Sequence, residues 1–414
     1  MSLSLAISLT VFALIAVREW LPPVIKIWHV MVAGAAAMLA TGQIAPHAAL
    51  EAIDWDIILY LFSVFSIGRG LYDSGISHRI AGRILTLRSP RAALGAFIAV
   101  FAVIAALLTN DAAAVIGTPI ALLPARRSGG DARFWLVVLC VTVTIGSMAT
   151  PIGNPQNLLI AASGGVPAPM LTFVVWLIVP TVLCLVLAAL WLARGALGGD
   201  AHAVVDEPAE NNGAGPLWPF GLAVALLFVL VVGDSVVEAL SPGKGIPLGI
   251  AAAIAALPPY LVSPGRWRML RGLDWPTLAF FVAMFIVTGA LLQSGSIQAL
   301  LGGAQAHMDE PLVTAGISFF GSQIFSNVPL VDMYIKLLPS LDVANLMMLA
   351  AVSTLAGNVF IISAASNVIV LQMAERYGGP SIAFVEFTRL VLPVGLVSTA
   401  ITMVYILAIA AITV

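Results

Sequence analysis

Residues 92–124 read AALGAFIAVFAVIAALLTNDAAAVIGTPIALLP. As one helix they would run to about 50 Å, well beyond the roughly 30 Å hydrocarbon core of a bilayer. The stretch is interrupted at Thr109-Asn110-Asp111, and both flanks are basic: Arg79, Arg83, Arg88 and Arg91 precede it, and Arg126, Arg127 and Arg133 follow it. Lys and Arg collect on the cytoplasmic side of membrane proteins, so two basic flanks place both ends on one side. The segment therefore reads as a re-entrant helical hairpin whose tip lies at membrane depth. Residues 311–340, interrupted at Ser326-Asn327-Val328-Pro329, read as a second one.

Composition agrees about the solvent. With 61% hydrophobic and 9% charged residues and a mean hydropathy of +1.06, there is too little charge to cover a water-soluble surface. No basic cluster suggests nucleic acid, and no group of metal ligands or nucleophile beside a base suggests an enzyme or a cofactor. Cys140 and Cys184 lie in apolar spans and read as buried small hydrophobes. The first apolar stretch reads as a retained helix, without a cleavage site.

The chain repeats itself. Asp54-Trp55 followed by Ser74-Gly75 returns as Asp274-Trp275 followed by Ser294-Gly295 at the same spacing. Thr144 with Asn157 returns as Thr354 with Asn367, and Val179-Pro180 as Leu392-Pro393. Spans at 3–17, 24–41, 56–72, 131–163 and 170–194 are answered by 217–240, 247–263, 275–292, 345–373 and 383–413. The expected fold is an all-α polytopic membrane protein of two inverted repeats, with about ten transmembrane helices, two hairpins (92–124 and 311–340) and two broken helices (131–163 and 345–373). Repeats at 1–194 and 217–414 flank a flexible linker, 195–216, rich in Gly, Ala, Asp and Glu. Placing Arg18, Lys26, Arg266, Arg268, Arg271 and Arg376 in the cytoplasm puts the N-terminus outside, the linker inside and the second repeat upside down.

Chemistry is expected at four interruptions: the two hairpin tips, Thr150-Pro151-Ile152-Gly153-Asn154-Pro155-Gln156-Asn157, and Gly357-Asn358 through Ser363 to Ser366-Asn367. Proline and glycine stop regular helix, and the freed backbone groups must line a protein-buried or watery cavity. Asn, Ser and Thr supply neutral donors and acceptors there, and half-helix N-termini add partial positive charge. Asp111 has two readings, a cap on the second half-helix or a proton or cation site. Its repeat partner is Val328, so any coupling charge is asymmetric. Asp332 and Arg69 are further intramembrane candidates, and His29 reads as a packing residue.

These four motifs, in this order, resemble those of the ion transporter superfamily, nearest to the arsenite/antimonite efflux permeases and related anion transporters. The resemblance implies a scaffold domain and a transport domain, often in a homodimer, with substrate between the hairpin tips and the broken helices. By resemblance the contacts are Asn110, Asp111, Asn154, Asn157, Asn327, Asn358 and Asn367; Ser366 beside Asn367 is expected to bind substrate with them, and Asp111, as the acid within the four breaks, is expected to carry the coupling proton. The fourth motif has Phe360 where a Thr often stands. The expected function is multi-pass (inner) membrane export of arsenite or antimonite in exchange for protons, without a cofactor. The first alternative is sodium- or proton-coupled symport of a carboxylate or other inorganic anion; a second, a channel, is disfavoured by the inverted repeats.

Overall fold

The computed structural model describes residues 2–16, 22, 24–85, 87, 89–128, 131–195, 216–241, 243–301, 307–338, 341–360 and 364–413. Nearly all of the expected linker, together with Arg18, Arg88 and Ser363, lies outside them. Among the described residues there are twenty α-helices and no strand. The first ten are α1 (3–16), α2 (27–40), α3 (46–52), α4 (55–73), α5 (76–85), α6 (90–107), α7 (110–128), α8 (132–146), α9 (155–162) and α10 (169–195). The second ten are α11 (218–240), α12 (248–262), α13 (266–271), α14 (275–293), α15 (296–301), α16 (311–325), α17 (327–337), α18 (343–356), α19 (365–376) and α20 (384–413).

The two sets match element for element, and the repeated dipeptides explain how the chain makes each boundary. Asp54 and Asp274 are N-caps, their carboxylates accepting from the amides of Ile57 and Thr277. The indoles of Trp55 and Trp275 donate back to the carbonyls of Leu50 and Leu270, pinning the short helices α3 and α13. After α4 and α14 the chain turns at Gly75 (φ 77°) and Gly295 (φ 67°), the left-handed region that a side chain disfavours. Those turns lead into α5 and α15, which the apolar count did not include. The α5 sequence ISHRIAGRIL is amphipathic and too polar to read as a span.

Packing is reciprocal between the repeats. Helix α2 packs on α14 and α4 on α12, α7 on α19 and α17 on α9, and α10 on α20. Both hairpins form. A Cβ at Gly117, eight residues past the first tip, would lie 2.9 Å from Phe101, eight residues before it, so α6 and α7 run back along each other. In the second, the Tyr334 hydroxyl donates to Thr314 Oγ1 at 3.1 Å across α16 and α17. Helices α8 and α18 run through the interior: each residue from Leu136 to Gly146 and from Ala344 to Ala356 is buried. By contrast α10, α11 and α20 leave large apolar side chains such as Val182, Leu190, Val229 and Val404 exposed, as helices facing lipid do.

Candidate functional site

Each interruption has a local cause. At the first tip, α6 stops at Leu107 and α7 starts at Asn110. Thr109 Oγ1 accepts from the Ala112 amide at 3.0 Å, and Asn110 Oδ1 from the Asp111 amide at 2.9 Å. The first break is stitched to this tip, because Thr150 donates to the Ala106 carbonyl at 2.6 Å and the Asn110 amide to the Gly153 carbonyl at 2.8 Å. Gly153 is required there, since a Cβ would sit 2.1 Å from the Ser147 carbonyl oxygen. The second tip turns at Ser326, whose φ of 67° is unusual for a residue with a side chain. The Gln323 amide donates to the Ala356 carbonyl at 3.0 Å and docks this hairpin on the second break.

Around the first break every amide is used. Asn154 caps α9 by accepting from the Asn157 amide at 2.9 Å, and its Nδ2 lies 3.1 Å from Ser147 Oγ and 3.2 Å from Thr354 Oγ1. Asn157 Nδ2 donates toward the carbonyls of Ser147, Met148 and Thr150 at 3.3, 3.3 and 3.0 Å. Gln156 also reaches Thr354 Oγ1, at 3.3 Å, so Thr354 of the second repeat is knotted into the break of the first. Around the second break, Asn367 donates to the Gly357 carbonyl at 3.0 Å. Both amide atoms of Asn358, the Ser366 hydroxyl, and the Oδ1 atoms of Asn367 and Asn327 are buried without a hydrogen-bond partner among the described residues. Phe360 stacks on Phe384.

A cavity of about 650 Å³ joins these elements. Its lining includes Asn110 and Asp111 from one tip, Ser326 and Asn327 from the other, Pro155 and Gln156 from the start of α9, and Ala364 and Ala365 from the start of α19. Asp111 is 5% exposed and its Oδ1 has no partner among the described residues, and the capping bond at this tip is made by Thr109 to the Ala112 amide. Of the residues expected to contact substrate, the structure brings Asn110, Asp111 and Asn327 to the cavity wall. Asn154, Asn157, Asn358, Ser366 and Asn367 stand behind it, each no more than 1% exposed. Gln156 was missed in the sequence; its place between Pro155 and Asn157 at a helix start was the available signal. The lining also carries Lys26, Arg69, Arg376 and Asp274, with Tyr72 and Tyr377 touching through their hydroxyls. Arg69 is paired with Asp73 at 3.0 Å. His29 does not line the cavity; it accepts from the Lys26 amide through Nδ1. No group of three or more metal-ligating side chains occurs among the described residues.

Comparison with known proteins places this arrangement. A model of the citrate transporter family matches residues 11–345. An uncharacterized transporter of Mycobacterium bovis is 27% identical over 403 residues, covering 91% of this chain and 92% of the relative. The silicon efflux transporter LSI3 of Oryza sativa subsp. japonica is 37% identical over 130 residues, which is 31% of this chain and 27% of that protein. Among solved structures, the YdaH transporter of Alcanivorax borkumensis superposes with a TM-score of 0.53 over 96% of this chain and 97% of that one, at 14% identity, a likeness of fold alone.

Proposed function

The chain belongs to the citrate transporter family, and on that premise we propose that this multi-pass membrane transporter exports arsenite or antimonite in exchange for protons. The observation that supports this reading most is the single cavity walled by both hairpin tips and the starts of α9 and α19. At the two tips and the start of α9 its polar lining is neutral amide and hydroxyl groups, Asn110, Gln156, Ser326 and Asn327, with the Asp111 carboxylate among them and Asp274 as a second acid in the lining. At neutral pH arsenite is mainly an uncharged trihydroxide, which such groups bind without a matching buried cation. The rice relative moves silicon, another metalloid. Asn110 and Asn327 meet the substrate in this state. Asn358, Ser366 and Asn367, with unused polar atoms one layer behind, complete the site when the half-helices shift. Asn154 and Asn157 support it by holding the first break in shape.

In the same reading, residues 1–194 and 217–414 are the inverted repeats and 195–216 the cytoplasmic tether. The five leading helices of each repeat form a scaffold and the five trailing ones a moving body. Asp111 carries the proton. It lies beside Asn110, and Val328 at the matching place cannot titrate. Competition of proton and substrate for one tip couples outward movement of one to inward movement of the other.

A second reading, symport of a carboxylate or other anion with sodium or protons, is favoured by Lys26, Arg69 and Arg376 in the lining of the same cavity. The test is uptake into proteoliposomes of labelled arsenite and of labelled citrate, each with and without an imposed proton or sodium gradient. Proton-driven arsenite accumulation with no citrate uptake is the expected result. Citrate uptake without arsenite movement would replace the first reading by the second.

A further inference from the structure

The two repeats meet their scaffold helices in matched places, and the cavity runs further along the first contact than along the second, where it stops at Phe281 and Pro329. In the first repeat, α4 faces α7, and Phe65, Gly68, Ala112 and Val115 from this interface line the cavity. The matching interface of the second repeat is α14 against α17. There Phe285 stands for Phe65, Thr288 for Gly68 and Asp332 for Val115, in the register set by the Asp-Trp pairs and the tip asparagines. This interface is shut: Phe285, Thr288 and Asp332 are all buried to 0% exposure.

Polar contacts found only in the second repeat hold it. Thr288 Oγ1 donates to Asp332 Oδ2 at 2.6 Å. Lys336, one turn further along α17, places Nζ 2.8 Å from Oδ1 and 3.0 Å from Oδ2 of Asp332, and 5.2 Å from the centre of the Phe285 ring. The threonine bond and the cation–ring contact both cross from the hairpin to the scaffold. In the first repeat the corresponding Gly68, Val115 and Pro119 supply no polar group to such a contact. The Asp332–Lys336 pair lies within α17 and travels with it, so sliding of the hairpin breaks the Thr288 bond and the Lys336–Phe285 contact and leaves the buried carboxylate one partner short, which costs free energy in hydrocarbon.

We propose that Thr288, Asp332 and Lys336 form the outer gate of this carrier, closed while the cavity on the basic, cytoplasmic face is open, and that they part when the second hairpin moves to expose the site outside. The proposal rests on the alternating-access reading and adds to it a named contact and a direction. It makes Asp332 a positioning residue of the gate and leaves the substrate contacts to the cavity.

The test uses the full-length chain with Cys140 and Cys184 replaced by Ala and one reporter cysteine, labelled by a membrane-impermeant maleimide. A reporter at Phe281, which lines the cavity on the inner side of the Thr288–Asp332 contact, should label slowly from outside in the parent chain. It should label about tenfold faster with Asp332→Asn or Lys336→Met, the ratio that about 1.4 kcal/mol sets, and by a smaller factor with Thr288→Val. A reporter at Val115 should label from the inside and more slowly in those variants, because opening one face closes the other. A second measurement keeps the parent charges out of the question: a Thr288→Cys, Asp332→Cys pair bridged by oxidation should hold Val115→Cys open to the inside and restore exchange between states on reduction. Phe281 labelling from outside unchanged in all three variants, with the bridged pair still alternating, would overturn the gate and leave alternating access standing. Equal labelling of Val115 from both sides in the parent chain would instead overturn alternating access itself.

Discussion

The two broken helices interrupt the same place in each repeat and finish it in different ways. The first is closed on itself. Asn157 is spread over three carbonyls, Asn154 caps the following helix, and Thr354 from the other repeat accepts from Asn154 and Gln156. The second has Ala364 where the first has Asn154, and Ser366 where the first has Gln156. Its neighbours Asn358, Ser366 and Asn367 keep buried polar atoms without partners among the described residues. Buried polar groups are nearly always paired, and in the proposed function the substrate supplies the partners of these atoms. Under the proposed function, the first copy's side chains hold its backbone and the second copy's meet the substrate.

The largest effect separates the two tips. Asp111→Asn keeps shape and hydrogen bonding at the first tip while removing the charge, and it should abolish proton-driven accumulation of arsenite in proteoliposomes while leaving exchange of bound substrate. Accumulation that persists with normal pH dependence would reduce Asp111 to a helix cap. The next effect separates the two breaks. Asn157→Ala strips a donor from three buried carbonyls and should lower unfolding stability by about 1–3 kcal/mol, with Asn367→Ala, which loses one such bond, at the low end of that range. Thermal unfolding in detergent compares them, and equal losses would erase the distinction between a structural and a receptive break.

A third comparison concerns binding. Asn327→Ala should weaken arsenite binding by about five- to a hundredfold, the range that 1 to 3 kcal/mol of unsatisfied partner covers. Asn157→Ala, measured on the folded fraction, should change it less. Titration calorimetry on both variants sharpens or breaks the assignment. The smallest effect tests where the repeats are alike: Asp54→Ala and Asp274→Ala each remove one N-cap and should each cost about 1 kcal/mol. A large difference between them would show that even the shared caps have diverged.

The fold was legible because a bilayer leaves few choices. An apolar stretch too long to span once, broken at Asn110 and flanked by arginines on both sides, has to turn back, and the repeated Asp-Trp, Ser-Gly and Asn positions set the order of elements before any contact is known. The short helices α3, α5, α13 and α15 were not legible, since they are held by Trp indoles and glycine turns and not by a span-length apolar run. The site was half legible. Sequence named the polar residues at the breaks, but an asparagine that binds a solute and one that satisfies a backbone carbonyl are the same residue in the same kind of motif. Only the folded chain decides that Asn110 and Asn327 face the cavity while Asn157 is consumed by Ser147, Met148 and Thr150. The same holds for Asp332, which in sequence is one more charge near a membrane and in the structure is buried against Thr288 and Lys336. Composition and spacing fix which groups must leave water; which partner each then finds depends on contacts between residues far apart in the chain, and those exist only once the two repeats have packed.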